Sequence, residues 1–347
     1  MATLTICSFN IEWMNDWFTS GTGPARFLRE FTKDGHRNDT HITASRAAAV
    51  VRAVDPDILA IQEAPSRPEE LDLFIRDDLS DSGSPRYKFF LGDSGAAQKL
   101  ALLYKPGSVA SAQLTPHAEI GTLIDPWLSD VNGDGVLDEY HFTRTPLVVN
   151  LALRDQAIQV IVVHTKSNFV NNGKSLWQNP STRRDYVSAA LKNRRRISSE
   201  AMRLRRYLDF RLERNAGDRI IVLGDLNDGP GLDYFEEHYL THNVTDILVG
   251  SAFRPEWIFT HAQHDAGAAQ RYTAIFDDFV TDEPGKRLLL DHVLLSPGLR
   301  SEGTRLRMRT GSGAVRHAEY EAQTENAGRH REDRPSDHRP VTVELEY

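Results

Sequence analysis

Short apolar runs recur along the whole chain, and this pattern constrains the fold more than any other feature of the sequence. Apolar runs bounded by turn-forming residues are typical of buried β-strands. The predicted strands are Leu4–Phe9, Ile58–Ile61, Leu100–Tyr104, Leu147–Leu153, Ile158–Val163, Ile220–Leu223, Tyr272–Phe276, Leu288–Leu295 and Val341–Leu345. Two segments have helical periodicity, 45–54 and roughly 183–214. Many strands with few helices predict an α/β (α+β) sandwich rather than a doubly wound sheet.

The composition is that of a globular protein with a sizeable core. The 347 residues are 40% hydrophobic and 26% charged. Cys7 is the single cysteine, which excludes an internal disulfide framework. No apolar run approaches the roughly 18 residues of a membrane span, and the first residues lack the pattern of a secretory signal. We therefore expect a cytoplasmic protein by default, with secretion through a signal missing from this sequence left open.

Charge is distributed unevenly along the chain. The net charge is −8, yet residues 182–214 contain eleven Lys and Arg against four Asp and Glu. This predicted helix has one apolar face, so its arginines are explained either as a solvated surface or as a ridge that binds the phosphates of a polyanion. The acidic remainder is explained by solubility or by carboxylates gathered around a metal.

Polar residues capable of catalysis stand at the ends of the predicted strands. In "IIVLGDLNDGP", Asp225 and Asn227 follow a buried run at a spacing of two, which places side chains on one face of an extended chain. Taken alone, such a pair is explained by a capped turn. The pattern recurs, however, at Asn10, Glu63, His164, Asp291, Asp337 and His338. Repetition in separate segments predicts a shared site.

Six motifs in fixed order carry a resemblance to a known family. They are "FNIEW", "IQE", "VVHTKS", "GDLND", "LDHVLLS" and "SDHRPV". Together they resemble the endonuclease/exonuclease/phosphatase superfamily, the fold of deoxyribonuclease I and exonuclease III. The resemblance implies a four-layer sandwich of two mixed β-sheets packed face to face, with helices outside. It also implies an active site at one edge. The chain is predicted to be one domain over 1–347, and its polar stretches and calcium-like segment predict inserted loops near 14–42, 125–142 and 301–335.

The resemblance implies a metal site of oxygen ligands. Glu63 matches the family's principal Mg²⁺ (or Mn²⁺) ligand, helped by Asn10 and Asp337. A hard cation of this kind prefers oxygen ligands and keeps several waters, so few protein groups suffice.

Catalytic roles follow from the same resemblance. Asp225 matches the residue that orients or activates the attacking water, and Asn227 the residue that holds the phosphate. His338 matches the histidine beside the scissile phosphate, and Asp291 matches the carboxylate that fixes its tautomer. Substrate contacts are expected from Asn10 and Asn227 and, by their closeness to His164 in "HTKSN", from Lys166 and Asn168; Arg144 in "FTRTPL" is explained by a phosphate contact or by a surface ion pair.

His164 matches the second histidine of the deoxyribonuclease and sphingomyelinase branches of the family. The resemblance makes it a candidate acid for the leaving oxygen. Asp93, ahead of "LALLY", is a candidate partner for it. Taken alone, a strand-end histidine is more often an ordinary surface residue.

The segment "DVNGDGVLDEYH" matches the start of a calcium-binding loop. Its candidate ligands are Asp130, Asn132, Asp134, Val136 and Asp138. Position 12 is His141 instead of the usual Glu, and the residues that follow predict a strand. A helix–loop–helix is therefore not expected. A structural Ca²⁺ loop and a merely acidic turn both stay open.

The predicted function is a magnesium-dependent phosphodiester hydrolase, a monomeric nuclease whose partner is DNA, with RNA left open as the other nucleic-acid substrate. The alternative on the same fold is a sphingomyelinase-like or small-molecule phosphodiesterase or phosphatase. A catalytically silent binding module is disfavoured because every catalytic motif is intact. Fold alone does not decide among these substrates.

Overall fold

Two large mixed β-sheets form the centre of the molecule. The computed structural model describes residues 3–33, 35–80, 84–95, 97–230, 233–240, 242–300, 305–324 and 334–347. Its strands are β1 (Thr3–Asn10), β2 (Glu30–Lys33), β3 (His36–Asp39), β4 (Ile58–Ala64), β5 (Lys88–Leu91), β6 (Lys99–Tyr104), β7 (Ser111–Leu114), β8 (Trp127–Ser129), β9 (Asp138–Tyr140), β10 (Leu147–Leu153), β11 (Gln156–His164), β12 (Ile220–Asp225), β13 (Thr260–His261), β14 (Ala274–Asp278), β15 (Glu283–Leu288), β16 (Asp291–Leu295), β17 (Arg307–Met308), β18 (Ala314–Val315) and β19 (Val341–Glu346). Its helices are α1 (Thr40–Val54), α2 (Pro68–Phe74), α3 (His117–Ile124), α4 (Gly173–Gln178), α5 (Arg183–Arg214), α6 (Val244–Val249) and α7 (His317–Glu321).

The strand order is similar in the two sheets. The first sheet runs β17-β19-β1-β4-β6-β5, with β18 also paired to β19, and the second runs β13-β16-β12-β11-β10-β7. In each, two central strands are parallel, β1 with β4 and β11 with β12. Each parallel pair is flanked by an antiparallel strand that arrives from much later in the chain, β19 on β1 and β16 on β12.

Alternation along the strands builds three hydrophobic layers. On β1, Leu4 and Ile6 belong to the core between the sheets, whereas Cys7 and Phe9 pack with α1 and α2. The second sheet does the same, with its other face against α3, α5 and α6. Successive side chains of a strand point to opposite faces, so both faces of these central strands are buried. The predicted four-layer sandwich with outer helices is confirmed.

Helix α1 begins earlier than its apolar pattern predicts. The side chain of Asp39 accepts a hydrogen bond from the backbone N–H of Ile42 and caps the helix, so it starts at Thr40 rather than at Ser45. It ends before Asp55, which has a left-handed backbone with φ 51°. The following Pro56 cannot continue a helix.

The predicted strand Leu288–Leu295 is wrong, because the chain breaks there between two strands. The run is divided between β15, which ends at Leu288, and β16, which begins at Asp291. Thr273 holds the break: its N–H donates to the Leu288 carbonyl at 2.8 Å, and its Oγ1 accepts from the N–H of Leu290 at 3.0 Å. Asp291 is therefore the first residue of a strand rather than a residue in the middle of one.

The stretches expected as inserted loops contain short regular elements. The first, 14–42, holds a 3₁₀ turn at Met14–Trp17 and the hairpin β2–β3. The described part of 301–335 contains β17, β18 and α7, and its residues 301–304 and 325–333 lie outside the description. The polar composition of these stretches gave no periodicity from which such short elements could be predicted. Among the described residues, no helix combines the length and apolarity needed to cross a bilayer.

The candidate calcium segment, within 125–142, is the turn of a β-hairpin. Strands β8 and β9 flank it, so the expectation that it is no helix–loop–helix is met. The Asp130 carboxylate accepts N–H groups from Gly133 at 2.6 Å, Asp134 at 3.2 Å and Gly135 at 2.9 Å. These bonds lower the pKa of Asp130, and they account for this acidic residue without a cation. Calcium binding here remains a prediction.

Thermal melting tests that prediction. If the folded loop binds calcium, millimolar Ca²⁺ raises the Tm by linkage, and Asp134→Ala, which removes an oxygen ligand, abolishes the rise. Glu139→Gln on the adjacent strand is the matched control and should keep it. A wild-type Tm that calcium does not change would leave the acidic turn as the explanation of the loop.

Candidate functional site

Strand register brings the predicted site residues to one edge of the sandwich. Asn10 lies opposite Gln62 at the carboxyl ends of the parallel pair β1 and β4. His164 lies opposite Asp225 at the carboxyl ends of β11 and β12, and Asp225 lies opposite Asp291 at the start of antiparallel β16. The ends of two parallel pairs therefore meet at the same edge.

A cleft of about 2290 Å³ opens at this edge. The predicted residues that line it are Glu63, Arg144, His164, Lys166, Asn168, Asp225, Asn227, Asp337 and His338. Asn10 and Asp291 do not line it; they are buried directly behind it. The calcium-loop candidates of the β8–β9 hairpin do not line it either. The structure thus brings together the predicted residues except those of that loop and Asp93.

The buried carboxylate of Asp225 is the hub of the site. Its Oδ2 accepts from Asn10 Nδ2 at 3.0 Å and lies 3.4 Å from His164 Nε2 and 3.8 Å from His338 Nε2. Its Oδ1 accepts from the N–H of Asn227 at 2.8 Å. Burial raises the pKa of Asp225 to about 7, against the lowering effect of His338. Asp225 thus caps the turn that follows β12, as the capped-turn explanation expects, and its carboxylate also faces the cleft.

His338 and Asp291 are in hydrogen-bond contact. The distance from His338 Nδ1 to Asp291 Oδ2 is 2.6 Å, so the other ring nitrogen, Nε2, faces Asp225 and lies 3.8 Å from Asp337 Oδ1. Burial opposes a charge on this imidazole, but the carboxylates of Asp291, Asp225 and Asp337 outweigh it and raise the pKa of His338 well above its usual value. The surrounding carboxylates therefore favour the charged form of this imidazole.

His164 has the opposite electrostatic environment. Burial, with Arg144 and His338 adding to it, lowers the pKa of His164 well below its usual value. Asp93 does not pair with it: the Asp93 side chain is 95% exposed and forms an ion pair with Lys99 at 3.1 Å. That pairing was wrong because the loop after β5 points the carboxylate into solvent, and Asp225 is the carboxylate next to His164.

Glu63 is held from three sides. Its carboxylate accepts from the N–H of Trp13 at 3.0 Å, from Gln98 Nε2 at 2.7 Å and from Asn10 Nδ2 at 3.4 Å. A β-bulge in β4 and a left-handed backbone, φ 59°, turn its side chain into the cleft. Burial, followed by the charge of Asp337, raises the pKa of Glu63.

These oxygen donors fit a hard divalent cation. The carboxylates of Glu63 and Asp337 both line the cleft, and Asn10 Oδ1 is buried without a hydrogen-bond partner among the described residues. A second group, Asp225, Asp291 and His338, has ligand atoms within 4.8 Å of one another and could also hold a metal. In that group the His338–Asp291 hydrogen bond already occupies the ring nitrogen Nδ1. The Glu63 set suits Mg²⁺ better because all its donors are oxygens.

A residue that the sequence reasoning missed, Glu200 of α5, supports the cleft from behind. This fully buried carboxylate accepts from the N–H and the hydroxyl of Thr143 at 2.8 and 2.6 Å, from the N–H of Lys166 at 3.0 Å and from Arg196 Nε at 3.2 Å. It thereby fixes the two loops that carry Arg144 and Lys166. A signal was present in the sequence, because Glu200 interrupts the apolar face of the predicted helix.

Gln98 was also missed, and no sequence signal marks it. Its side-chain amide links Glu63 to Arg144: Oε1 accepts from Arg144 Nη2 at 2.6 Å, while Nε2 donates to the Glu63 carboxylate.

Asn168 was expected to contact substrate. In the structure its Nδ2 donates to the Asn227 carbonyl at 2.6 Å and so stabilises the loop after β12.

The arginines of α5 mostly bind parts of this chain. Arg195 Nη1 donates to the Asn132 carbonyl at 3.1 Å, and Arg203 Nε donates to the Leu123 carbonyl at 3.0 Å. Other contacts join Arg194 to Asp233, Arg205 to Asp209 and Leu248, and Arg211 to Asp218. These bonds favour a structural explanation of the basic helix over a phosphate-binding ridge.

Solved structures with the same fold are distant in sequence. A truncated TDP2 from Caenorhabditis elegans is 15% identical with a TM-score of 0.53, over 99% of this chain and 98% of that one. A D. rerio TDP2 complexed with single strand DNA product is 13% identical with a TM-score of 0.51, over 100% of both. An endonuclease/exonuclease/phosphatase family protein from Bacteroides thetaiotaomicron is 15% identical with a TM-score of 0.51, over 99% and 97%. Such identities establish the fold alone.

No curated protein sequence matches this chain significantly. The sequence pattern of the Endonuclease/Exonuclease/phosphatase family, in contrast, matches residues 7–338 and so spans all the site residues described above. The chain therefore belongs to the endonuclease/exonuclease/phosphatase family, a superfamily of metal-dependent phosphoric ester hydrolases.

Proposed function

We propose that this chain is a magnesium-dependent phosphodiester hydrolase that cleaves DNA. The observation that supports it best is the His338–Asp291 contact of 2.6 Å, which aims a protonated imidazole at Asp225 in a cleft that also holds Glu63. Hydrolysis of a phosphate ester needs a base for water, a donor for the leaving oxygen and positive charge at the phosphate. One edge of this fold offers all three.

The metal-binding role falls to Glu63, Asn10 and Asp337. A divalent cation bound there supplies Lewis-acid stabilisation of the phosphate oxygens. Arg144 and Lys166 add positive charge from the cleft wall, where Gln98 and Glu200 fix their positions. Charge held in place before the reaction stabilises a transition state without reorganisation.

Proton transfer is divided between Asp225 and His338. A carboxylate whose pKa is about 7 is matched to accept a proton from water at neutral pH. His338 is charged at that pH and can donate to the leaving oxygen through Nε2, while Asp291 fixes its tautomer and orientation. Asn227, whose N–H donates to Asp225, orients this base and faces the phosphate.

This assignment changes the role that the resemblance gave to His164. An imidazole with a depressed pKa is neutral near pH 7 and is a poor source of a proton. In this proposal His164 instead donates a hydrogen bond from Nε2 towards Asp225, 3.4 Å away, and helps to orient that carboxylate.

DNA is the proposed substrate for two reasons. Arg144 and Lys166 place positive charge where a phosphate backbone would lie. In addition, one protein of the same fold has been crystallised with a single strand DNA product. The same chemistry would also serve a lipid or small phosphodiester, so the substrate needs direct measurement.

A substrate panel tests the proposal. Plasmid, single-stranded DNA, RNA, sphingomyelin and a chromogenic phosphodiester are each incubated with Mg²⁺, Mn²⁺, Ca²⁺ or chelator. We expect DNA cleavage with Mg²⁺ or Mn²⁺ and none with chelator. Turnover of sphingomyelin without cleavage of DNA would instead identify a lipid phosphodiesterase.

A separate prediction concerns the metal ligand Glu63 and its substitution Glu63→Gln. A neutral amide is a far poorer ligand for a hard cation, so this variant should lose turnover at limiting Mg²⁺ while it stays folded. The measurements are a Mg²⁺ titration of DNA cleavage and a melting curve. Glu69→Gln, an exposed acid at the start of α2, is the control and should behave as wild type. An unchanged Mg²⁺ dependence would contradict the ligand assignment.

The third prediction concerns the His338–Asp291 pair. Asp291→Asn keeps the shape of the side chain but removes the orienting charge, so turnover should fall on the order of 10²- to 10⁴-fold. Groups that act as a unit are non-additive, so Asp291→Asn combined with His338→Ala should be barely slower than His338→Ala alone. Losses in kcat that multiply in the double variant would show that the two residues act independently.

A further inference from the structure

Phe169 is an exposed aromatic residue inside the cleft. It lies five residues beyond His164, lines the cleft, and is 71% exposed. A large apolar side chain on the surface needs no explanation when it stands alone. Inside a catalytic cleft, however, its ring is available to whatever binds there.

The loop that carries Phe169 is held in place by its backbone. The Phe169 carbonyl accepts from Asn193 Nδ2 at 2.9 Å, and its N–H donates to Ser167 Oγ at 3.1 Å. On the preceding residues, Glu200 binds the N–H of Lys166, and Asn168 binds the loop after β12. Both Asn193 and Glu200 belong to the long helix α5. The ring is therefore presented from a fixed backbone, which reduces the entropy lost on binding.

A hydrophobic cluster lies next to this loop, yet Phe169 does not join it. The cluster is built on Tyr186, Ala190 and Phe235, and the neighbouring residue Val170 packs against it. Because Val170 and not Phe169 makes this contact, the chain has an apolar surface within reach and still leaves the larger ring in the cleft. The exposure of Phe169 is a property of the loop conformation rather than a lack of apolar neighbours.

Phe169 lies between cationic and polar residues of its own loop, while the hydrophobic cluster with Tyr186 and Phe235 lines another part of the same cleft. Lys166 lies three residues away, so its Cα is at most about 11 Å from that of Phe169. Asn171, Asn172 and Lys174 line the same part of the cleft. A flat aromatic face among polar groups suits a ligand that is itself flat with polar edges and carries negative charge nearby.

We propose that Phe169 is a stacking platform for an unpaired base of single-stranded DNA next to the scissile phosphate. The inference rests on the proposed function and specifies its substrate as a single strand. In a duplex the base faces are covered by their neighbours, whereas in a single strand they are free to stack on an aromatic side chain. Arg144 and Lys166 then contact the backbone phosphate while the ring contacts the base.

Binding of a fluorescein-labelled single-stranded oligonucleotide, measured by anisotropy in chelator, tests the inference without turnover. Phe169→Ala should raise the Kd about 5- to 150-fold, the range for loss of one base–aromatic stack. Phe169→Tyr and Phe169→Trp keep a ring and should bind within a few-fold of wild type. Phe253→Ala, which removes a 96% exposed aromatic residue that does not line the cleft, is the control and should bind normally.

An abasic residue moved along the oligonucleotide locates the stacked base. At one position the missing base should weaken wild-type binding and leave Phe169→Ala binding unchanged, because the variant has no ring to lose. Wild-type affinity in Phe169→Ala, or no binding of single-stranded DNA by the wild type, would overturn the inference. So would binding to sphingomyelin vesicles that depends on Phe169 while DNA is not bound.

Cleavage separates this inference from the proposed function. If Phe169→Ala weakens binding of the oligonucleotide but the wild type does not cleave DNA with Mg²⁺ or Mn²⁺, the stacking platform is supported and the nuclease function is refuted. If the wild type cleaves DNA and Phe169→Ala binds the oligonucleotide as tightly as the wild type, the nuclease function is supported and the stacking platform is refuted.

Discussion

The buried carboxylate of Asp225 is the interaction on which the rest of the site depends. It lies at the end of β12 in the second sheet and accepts a hydrogen bond from Asn10 at the end of β1 in the first. Taking a charged group out of water costs several kcal/mol unless charges and hydrogen bonds compensate. Here His338, the N–H of Asn227 and Asn10 offset part of that cost, and the remainder raises the pKa of Asp225 to about 7. The packing of the two sheets and the geometry of the site are therefore set together.

The position of the site could be predicted from the sequence because burial makes polar residues conspicuous. Glu63, His164 and Asp225 each end an apolar run, and a carboxylate in such a place is costly unless it is used. The same argument could not predict how strands break. The apolar run 288–295 indicated that the segment is buried but not that it is divided between two strands. The hydrogen bonds to the Thr273 hydroxyl explain why the chain turns before Asp291.

Long-range support was beyond the reach of sequence patterns. Glu200 is 34 residues from Lys166 and 57 from Thr143, and its role depends on how α5 packs across the second sheet. Gln98 is 35 residues from Glu63 and 46 from Arg144. Nothing in the neighbourhood of either residue identifies those partners. The calcium-like spacing at Asp130 likewise gave no indication that the segment is a hairpin turn whose backbone N–H groups bind that carboxylate.

Three of the seven described non-glycine residues with a left-handed backbone lie at the site. Trp13, Glu63 and Asn227 have left-handed backbones, with φ of 59°, 59° and 53°. For residues other than glycine such a conformation costs on the order of 1–3 kcal/mol and persists only where the surroundings enforce it. Two site hydrogen bonds enforce it here, from the N–H of Trp13 to Glu63 and from the N–H of Asn227 to Asp225. These hydrogen bonds thus stabilise the left-handed backbone and, at the same time, orient the carboxylates of Glu63 and Asp225.

Helix α5 connects this strained edge to the body of the molecule. Its arginines bind the surrounding loops, as Arg203 does at the Leu123 carbonyl, and Glu200 and Asn193 hold the loop after β11 from the same helix. Most of the arginines in 182–214 therefore form intramolecular contacts. In the proposed function, Arg144 and Lys166 of the cleft contact the phosphate instead. In that proposal, contacts to the bases add to the affinity that a strand gains from Arg144, Lys166 and other cations lining the cleft, such as Lys174 and Arg271.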